Sequence, residues 1–566
     1  MKNICYLLAA GIAVSQLSCQ SPRDSSSLPF TTSVDQIMQE WEFKEPGGAV
    51  AIIEKGELIY EKYFGLADLK KKLPFSAQTR TDIGSISKQF TACLIVLLEE
   101  EGTLSIEDDI RKFIPELPIY QDTIRIKNLL HHSSGIRDYE ALELLKRKHY
   151  FDEHMTNSYV VQLMARQRSL NFAPHSKFEY SNSNYILLAE IIERVTGSSL
   201  NEVAKAYIFE PLGMNHTFFH INQGEDFENK AIGYSEVDGK LSRPKYKSHL
   251  IGDGGIYTTL QDMVKWDQNF FSNRLGKGQS DLMERMKYRE QLSNGQQNFM
   301  AFAQIFTSHP FGEQSWSHGG GYRSFYIRFE EVPFSVIVLS NSDPHNAFQK
   351  ANAIVDTYFA VNPARTETTI EEKSSAPELS TTVPTNEVIE QFSGYYYDEN
   401  RFSFLQISYE TAKQNFRVNW LENKDAGYSC LLRNDSTLVE QEDTRYSYEL
   451  SSHEAELVNK YRGVIERRWR KARDIVFPLE HWSGSYHSSD IQHTINLRIK
   501  DGTLISDTPY VTELLYIGDG IFLDFPTLSL LTFLDEKRFT LNIPQGDRSL
   551  RHLEFNKVVA NRQLQK

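Results

Sequence analysis

The tightest constraint on this chain is that part of it is written twice. Glu390-Gln391-Phe392-Ser393-Gly394-Tyr395-Tyr396 returns 90 residues later as Glu480-His481-Trp482-Ser483-Gly484-Ser485-Tyr486. Alternating apolar and polar stretches follow each copy, Phe402 to Ser408 and His493 to Ile499. Similarity at a fixed offset means two units of one architecture, and alternation means strands with one buried face. Residues 387–475 and 476–566 are therefore expected to be two antiparallel β units. Each could be a small barrel, or the two could be halves of one larger barrel.

Upstream, residues 362–386 are rich in Thr, Ser, Glu and Pro, lack an apolar period and read as a linker. The block 34–361 mixes both periodicities. Ala49 to Ile53, then Lys55-Gly56, then Leu58-Ile59-Tyr60 reads as a hairpin. Helical patterns cover Lys88 to Glu101 and Asn184 to Thr196, each closed by a glycine, Gly102 and Gly197. Strand patterns return at Phe325 to Phe329 and Phe334 to Leu339. Strands at both ends with helices between predict one sheet built from the two termini of this block. The 12% aromatic content of the 566 residues supports extensive β structure.

A net charge of −14 repels phosphates, which argues against a nucleic-acid partner. Four cysteines cannot form a disulfide framework, and Cys93 and Cys430 are expected to be inert buried thiols. Past the N-terminus, no apolar run reaches the ~18 residues that span a bilayer. Met1-Lys2-Asn3 followed by apolar residues from Ile4 to Val14 fits an export signal. Residues 20–33, rich in Ser and Pro, read as a flexible tether.

The chemistry begins at Ser85-Ile86-Ser87-Lys88, a Ser-x-x-Lys at the head of a helix. A serine hydroxyl is a poor nucleophile until a base takes its proton. Positions i and i+3 share a helix face, which sets Lys88 beside Ser85. A desolvated lysine holds its proton less tightly and can act as that base. Tyr180-Ser181-Asn182 opens the second apolar helix, and His318-Gly319-Gly320-Gly321 precedes a strand pair.

These three elements, in this order, resemble the signatures of the serine β-lactamase and penicillin-binding protein superfamily. Longer stretches extend the resemblance to its class C-type branch, which includes D-alanyl-D-alanine carboxypeptidases, D-aminopeptidases and esterases: Ser85 to Asp109, Ile126 to Tyr139, Tyr180 to Gly213 and Gly252 to Trp266. The resemblance implies an α+β fold. Its catalytic domain is β-lactamase/transpeptidase-like, an antiparallel sheet flanked by helices plus a helical subdomain. Antiparallel β-barrel-like units follow, similar to the lipocalin-like units of D-aminopeptidase-type members. Ser18-Cys19 likewise resembles a bacterial lipoprotein processing site. Lipidation of Cys19 would anchor an exported protein to the membrane, facing the periplasm; ordinary cleavage would instead release it.

Carried onto this sequence, the resemblance implies Ser85 as the nucleophile that forms an acyl-enzyme, Lys88 as its base and Tyr180 as proton shuttle and activator of the deacylating water. Asn182 would fix Lys88 and the substrate amide. The backbone N–H groups of Ser85 and Gly321 would form the oxyanion hole, with Gly319 and Gly320 leaving room for substrate beside the strand. His318 stands where many relatives carry lysine. A histidine with an ordinary pKa of ~6.5 is mostly neutral at pH 7 and holds a substrate carboxylate less tightly. Arg323 could replace the missing charge, or could be a solvated strand-edge charge. His175 follows Pro174 where relatives carry glycine, so a different loop geometry is expected there. His216 and His220 have metal-ligand spacing, but Thr217-Phe218-Phe219 between them looks strand-like, and no metal is expected. No cofactor is expected either. The expected activity is hydrolysis of an amide or ester, foremost in D-amino-acid peptides (D-aminopeptidase or DD-carboxypeptidase-like). Rivals are an esterase or weak β-lactamase with the same site, and a non-catalytic envelope peptide binder.

Overall fold

A computed structural model describes residues 27–361 and 384–557, apart from short internal segments such as 147–154 and 472–481. Cys19 and its signal lie outside the described residues, as does most of the 362–386 linker.

The hairpin forms where the sequence predicts it, as β1 (Gly48–Glu54) and β2 (Glu57–Phe64). Its two turn residues, Lys55 and Gly56, both have positive φ, 52° and 80°. That geometry matches the twist of the flanking strands. At the far end of the block lie β3 (Ile305–Ser308), β4 (Gln314–Gly320), β5 (Ser324–Phe329) and β6 (Phe334–Ser340). β1 pairs antiparallel with β6, placing Ala49 opposite Leu339 and Val50 opposite Val338. The result is one six-stranded sheet in the order β3-β4-β5-β6-β1-β2, built from both ends of the block.

The run Ala49 to Ile53 does not alternate in polarity because both faces of the sheet are covered. Val50 and Ile52 join Phe325, Val336 and Val338 on the outer face. Helix α6 (Ala347–Val361) packs there. Ala49, Ala51 and Ile53 turn to the inner face, into the cluster of α2 (Lys88–Glu100), α4 (Asn182–Thr196) and α5 (Leu260–Phe271). Helices α2 and α4 stop as expected, with Gly102 and Gly197 in the left-handed region at φ 80° and 68°. Cys93 and Cys430 are both buried.

The tether reading is corrected from Ser27 onward. Helix α1 (Ser27–Met38) starts inside the span 20–33 and packs on α6. Phe30, Val34 and Met38 recur at helical spacing and are buried in the outer-face cluster. Pro29 is tolerated because it sits in the first turn, where backbone N–H groups have no intrahelical acceptor.

The two copies of the repeat each close on themselves, as separate eight-stranded barrels. In the first, Tyr396 of the opening strand pairs with Lys471 of the closing strand. In the second, Tyr486 pairs with Lys557. Strands Gly394–Asp398 and Ser403–Glu410 reappear as Gly484–Ser488 and His493–Lys500, at the offset of the sequence repeat. The repeated tyrosine does the same job twice: Tyr396 Oη donates to the Phe392 carbonyl at 2.9 Å, and Tyr486 Oη to the Trp482 carbonyl at 3.0 Å. Among the described residues, no helix is long and apolar enough to cross a membrane.

Candidate active site

A tight turn, Gly84–Ser87, runs into α2 and carries Ser85 at its head. Gly84 has φ 50°, and a Cβ there would meet the Gly320 backbone at 3.0 Å, so glycine is needed for the turn and for the close approach. Lys88 is fully buried. Its Nζ donates to Ser85 Oγ at 3.0 Å, to Asn182 Oδ1 at 2.8 Å and to the Asp253 carbonyl at 2.5 Å. The amine thus joins the hydroxyl to two distant segments.

Asn182 opens α4, and its backbone N–H donates to Asp138 Oδ2 at 2.6 Å. Tyr180, two residues earlier, is nearly buried, with Lys88 Nζ 5.1 Å from its ring centroid. Hydroxyl, amine, phenol and amide therefore share one locus. The ring of His132 stacks on Tyr180 at 4.3 Å and 23°. Its Nδ1 accepts the Ser181 N–H at 3.1 Å.

Strand β4 ends beside this turn. A Cβ on Gly320 would lie 2.1 Å from the Ile83 carbonyl oxygen, so its glycine is required by strand-to-turn packing rather than by substrate access. Gly321, at φ 62°, meets nothing around its Cβ position. His318 is buried, and its Nδ1 lies 2.8 Å from the Gly319 carbonyl oxygen. A carbonyl only accepts, so Nδ1 carries the proton and Nε2 presents a lone pair with no partner among the described residues. Burial, then the Lys88 charge, push the imidazole down to about 4, which leaves it neutral at physiological pH.

Two expectations change. Arg323 is a partly buried, paired charge rather than a solvated one: its Nε lies 2.6 Å from Asp343 Oδ1, and its Nη2 donates to Ser235 Oγ at 3.0 Å. A carboxylate placed just after β6 compensates its charge. His175 does take the left-handed conformation of a glycine, at φ 68°, with Nδ1 3.0 Å from Glu290 Oε2. His216 and His220 flank the short strand Phe218–Phe219.

Sequence reading missed four contributors. His132, Asp138, Tyr139 and the Asp253 carbonyl all brace the site. Their stretches, His131 to Tyr139 and Gly252 to Gly255, stood out by resemblance but carried no side-chain pattern that assigned a role. Tyr139 Oη donates to Asp253 Oδ2 at 2.9 Å.

A hydroxyl held on a buried lysine, with a phenol and an amide beside it, defines a serine hydrolase. The chain belongs to the beta-lactamase family, which it matches over residues 32–359, more than half its length. It is 30% identical to penicillin-binding protein 4* of Bacillus subtilis over 328 residues, 54% of this chain and 70% of that protein. It is 29% identical to the D-aminopeptidase of Brucella ovis over 337 residues, 57% of this chain and 61% of the relative, less than two thirds of its length. The octameric penicillin-binding protein homologue from Pyrococcus abyssi shares the fold with a TM-score of 0.53 at 21% identity, covering 78% of this chain and 98% of its own.

Proposed function

We propose that the protein is a D-amino-acid-specific aminopeptidase or amidase working through a Ser85 acyl-enzyme. The observation that carries this reading is the neutral, buried His318, at the position where, by resemblance, many relatives carry lysine. A substrate ending in a carboxylate finds no fixed charge there. A substrate with a free amino group meets no cation on this side chain. The likeness to a D-aminopeptidase supports the same choice.

In the reaction, Ser85 Oγ bonds to the substrate carbonyl carbon and the carbon–nitrogen bond breaks. As Lys88 takes the serine proton, it gives one of its own through Tyr180 to the leaving amine. Water then adds to the acyl carbon, gives its proton back through the same pair, and the carbon–Oγ bond breaks. Negative charge on the carbonyl oxygen is met by the N–H groups of Ser85 and Gly321, each worth ~10²–10³ in rate.

The test is a panel: a D-alanyl anilide, its L isomer, a D-Ala-D-Ala peptide, a short-chain ester and a cephalosporin. The highest kcat/KM is expected for the D-alanyl anilide, with Ser85→Ala inactive on every member. Preference for the carboxylate-ended peptide, or equal rates on L and D isomers, would overturn the substrate assignment.

A further inference from the structure

Arg137 lies two residues before α3 (Tyr139–Lys146), and its side chain has no exposed surface. A guanidinium so placed needs partners on every side. The catalytic block supplies neutral ones: Arg137 Nη1 donates to Gln167 Oε1 at 2.9 Å, and Nη2 to Ser169 Oγ at 2.8 Å. A carboxylate arrives from a different unit. Asp490, in the turn after the opening strand of the second barrel, is buried with Oδ2 3.6 Å from Arg137 Nη1. The same turn is gripped again. Arg168 Nε donates to Asp490 Oδ1 at 2.8 Å, and Gln167 Nε2 donates to the Asp490 carbonyl at 3.1 Å. Arg168 Nη2 also donates to Ser489 Oγ. Burial pulls the Arg137 pKa down and Asp490 opposes that pull.

The other side of this segment reaches the candidate site. The Arg137 carbonyl accepts from Ser183 Oγ at 2.8 Å, and Asp138 accepts the Asn182 N–H. Tyr139 N–H donates to Ser183 Oγ at 2.9 Å, and its hydroxyl holds Asp253. Asn182 and Asp253 each supply an acceptor to Lys88 Nζ. Three consecutive residues therefore have a barrel aspartate behind them and the lysine cradle in front.

We propose that Asp490 of the second barrel is a positioning residue for the reaction: through Arg137, Asp138 and Tyr139 it fixes the acceptors that orient Lys88 toward Ser85. This rests on the serine-hydrolase reading of Ser85 and Lys88. The rival is that Asp490 only fastens the barrel to the catalytic block. A misplacement of the base lowers the limiting rate without weakening substrate capture, whereas fastening alone lowers stability.

The test compares full-length wild type with Asp490→Asn and the paired Arg137→Met/Asp490→Leu, using a fluorophosphonate probe over a concentration series well below the melting temperature. For Asp490→Asn the limiting rate of Ser85 labelling is expected to fall about tenfold, with unchanged half-saturation. Hydrogen exchange in the peptide spanning Asn182 is expected to accelerate. The paired change removes both charges and is expected to recover most of the rate. If Asp490→Asn does not fold, Arg168→Met/Ser489→Ala loosens the same turn and is expected to give a smaller loss of the same kind. Wild-type limiting rate and exchange in a folded, merely less stable variant would overturn the proposal. If wild type itself is not labelled, the hydrolase reading falls, and the exchange comparison still judges whether the barrel turn holds Asn182.

Discussion

The two barrels are copies of one design with different surroundings. Both have eight strands, the same offset between their first two strands and the same tyrosine-to-carbonyl bond. The first keeps its own core, in which Val388, Phe392, Tyr396, Leu405, Val418 and Leu457 pack among themselves. In the second, Trp482, Tyr486, Ile495, Leu497 and Leu553 belong to the hydrophobic cluster that also holds the catalytic helices. Its closing strand, Arg548–Lys557, lies against α3. Architecture does not decide which copy docks; the turn after the opening strand marks the difference. The residue 90 positions before Asp490 is Asn400, uncharged and outside the described residues. Asp490→Asn therefore writes the first copy's residue into the second.

Emptying each core should break the symmetry most strongly. Truncating a buried aromatic ring to alanine costs about 3–5 kcal/mol. Tyr396→Ala is expected to lower the melting of the first barrel and leave Ser85 labelling at the wild-type rate. Tyr486→Ala is expected to lower the melting of the catalytic block as well and to slow labelling. Calorimetry in parallel with labelling across temperature separates the two. Equal loss of activity in both variants would mean that the copies do not differ in their coupling to the site.

Acid should act next, and on the catalytic block. Burial pushes His318 and His345 down to about 4, whereas an unfolded chain takes up these protons near 6.5. Between those values the unfolded state binds more protons. The stabilising contribution is therefore complete above pH 6.5 and is lost as pH falls toward 4. For His318 the loss is on the order of 3 kcal/mol. The block's melting temperature is expected to drop over this window, and His318→Asn is expected to flatten the drop. An unchanged slope in that variant would show that His318 is protonated at its ordinary pH in the folded protein.

Much of this was legible in the sequence because it rests on local rules. Lys55-Gly56, Gly102 and Gly197 announced a turn and two helix stops, since few residues other than glycine take up positive φ without strain. The repeat announced two units, though not whether each would close alone, because closure depends on pairing between residues far apart in sequence, such as Tyr396 and Lys471. Ser85 and Lys88 were legible because one helical turn sets their distance. The Asp253 carbonyl was not, because a backbone acceptor carries no residue signature. Arg323 was misjudged because Asp343, which compensates it, lies two strands further along the chain. Asp490 was invisible for a related reason: a lone aspartate in a hairpin turn reads as turn chemistry until its partner, more than 300 residues earlier, is seen.

The smallest expected effect sharpens the comparison through heat rather than activity. Tyr396→Phe and Tyr486→Phe each keep the ring and remove one matched hydroxyl-to-carbonyl bond, at a cost of about 1 kcal/mol. Equal free energies need not give equal shifts in Tm, because the shift is the free energy divided by the unfolding entropy of the whole cooperative unit. A unit of 60–100 residues moves by ~4–8 °C per kcal/mol, and one of 150–250 residues by ~2–4 °C. If the first barrel melts alone, Tyr396→Phe belongs to the first class. If the second barrel melts together with the catalytic block, Tyr486→Phe shifts its transition by ~2–4 °C or less. Two shifts of the same size would mean that the second barrel unfolds independently, and the shared hydrophobic cluster would then be a contact without cooperativity.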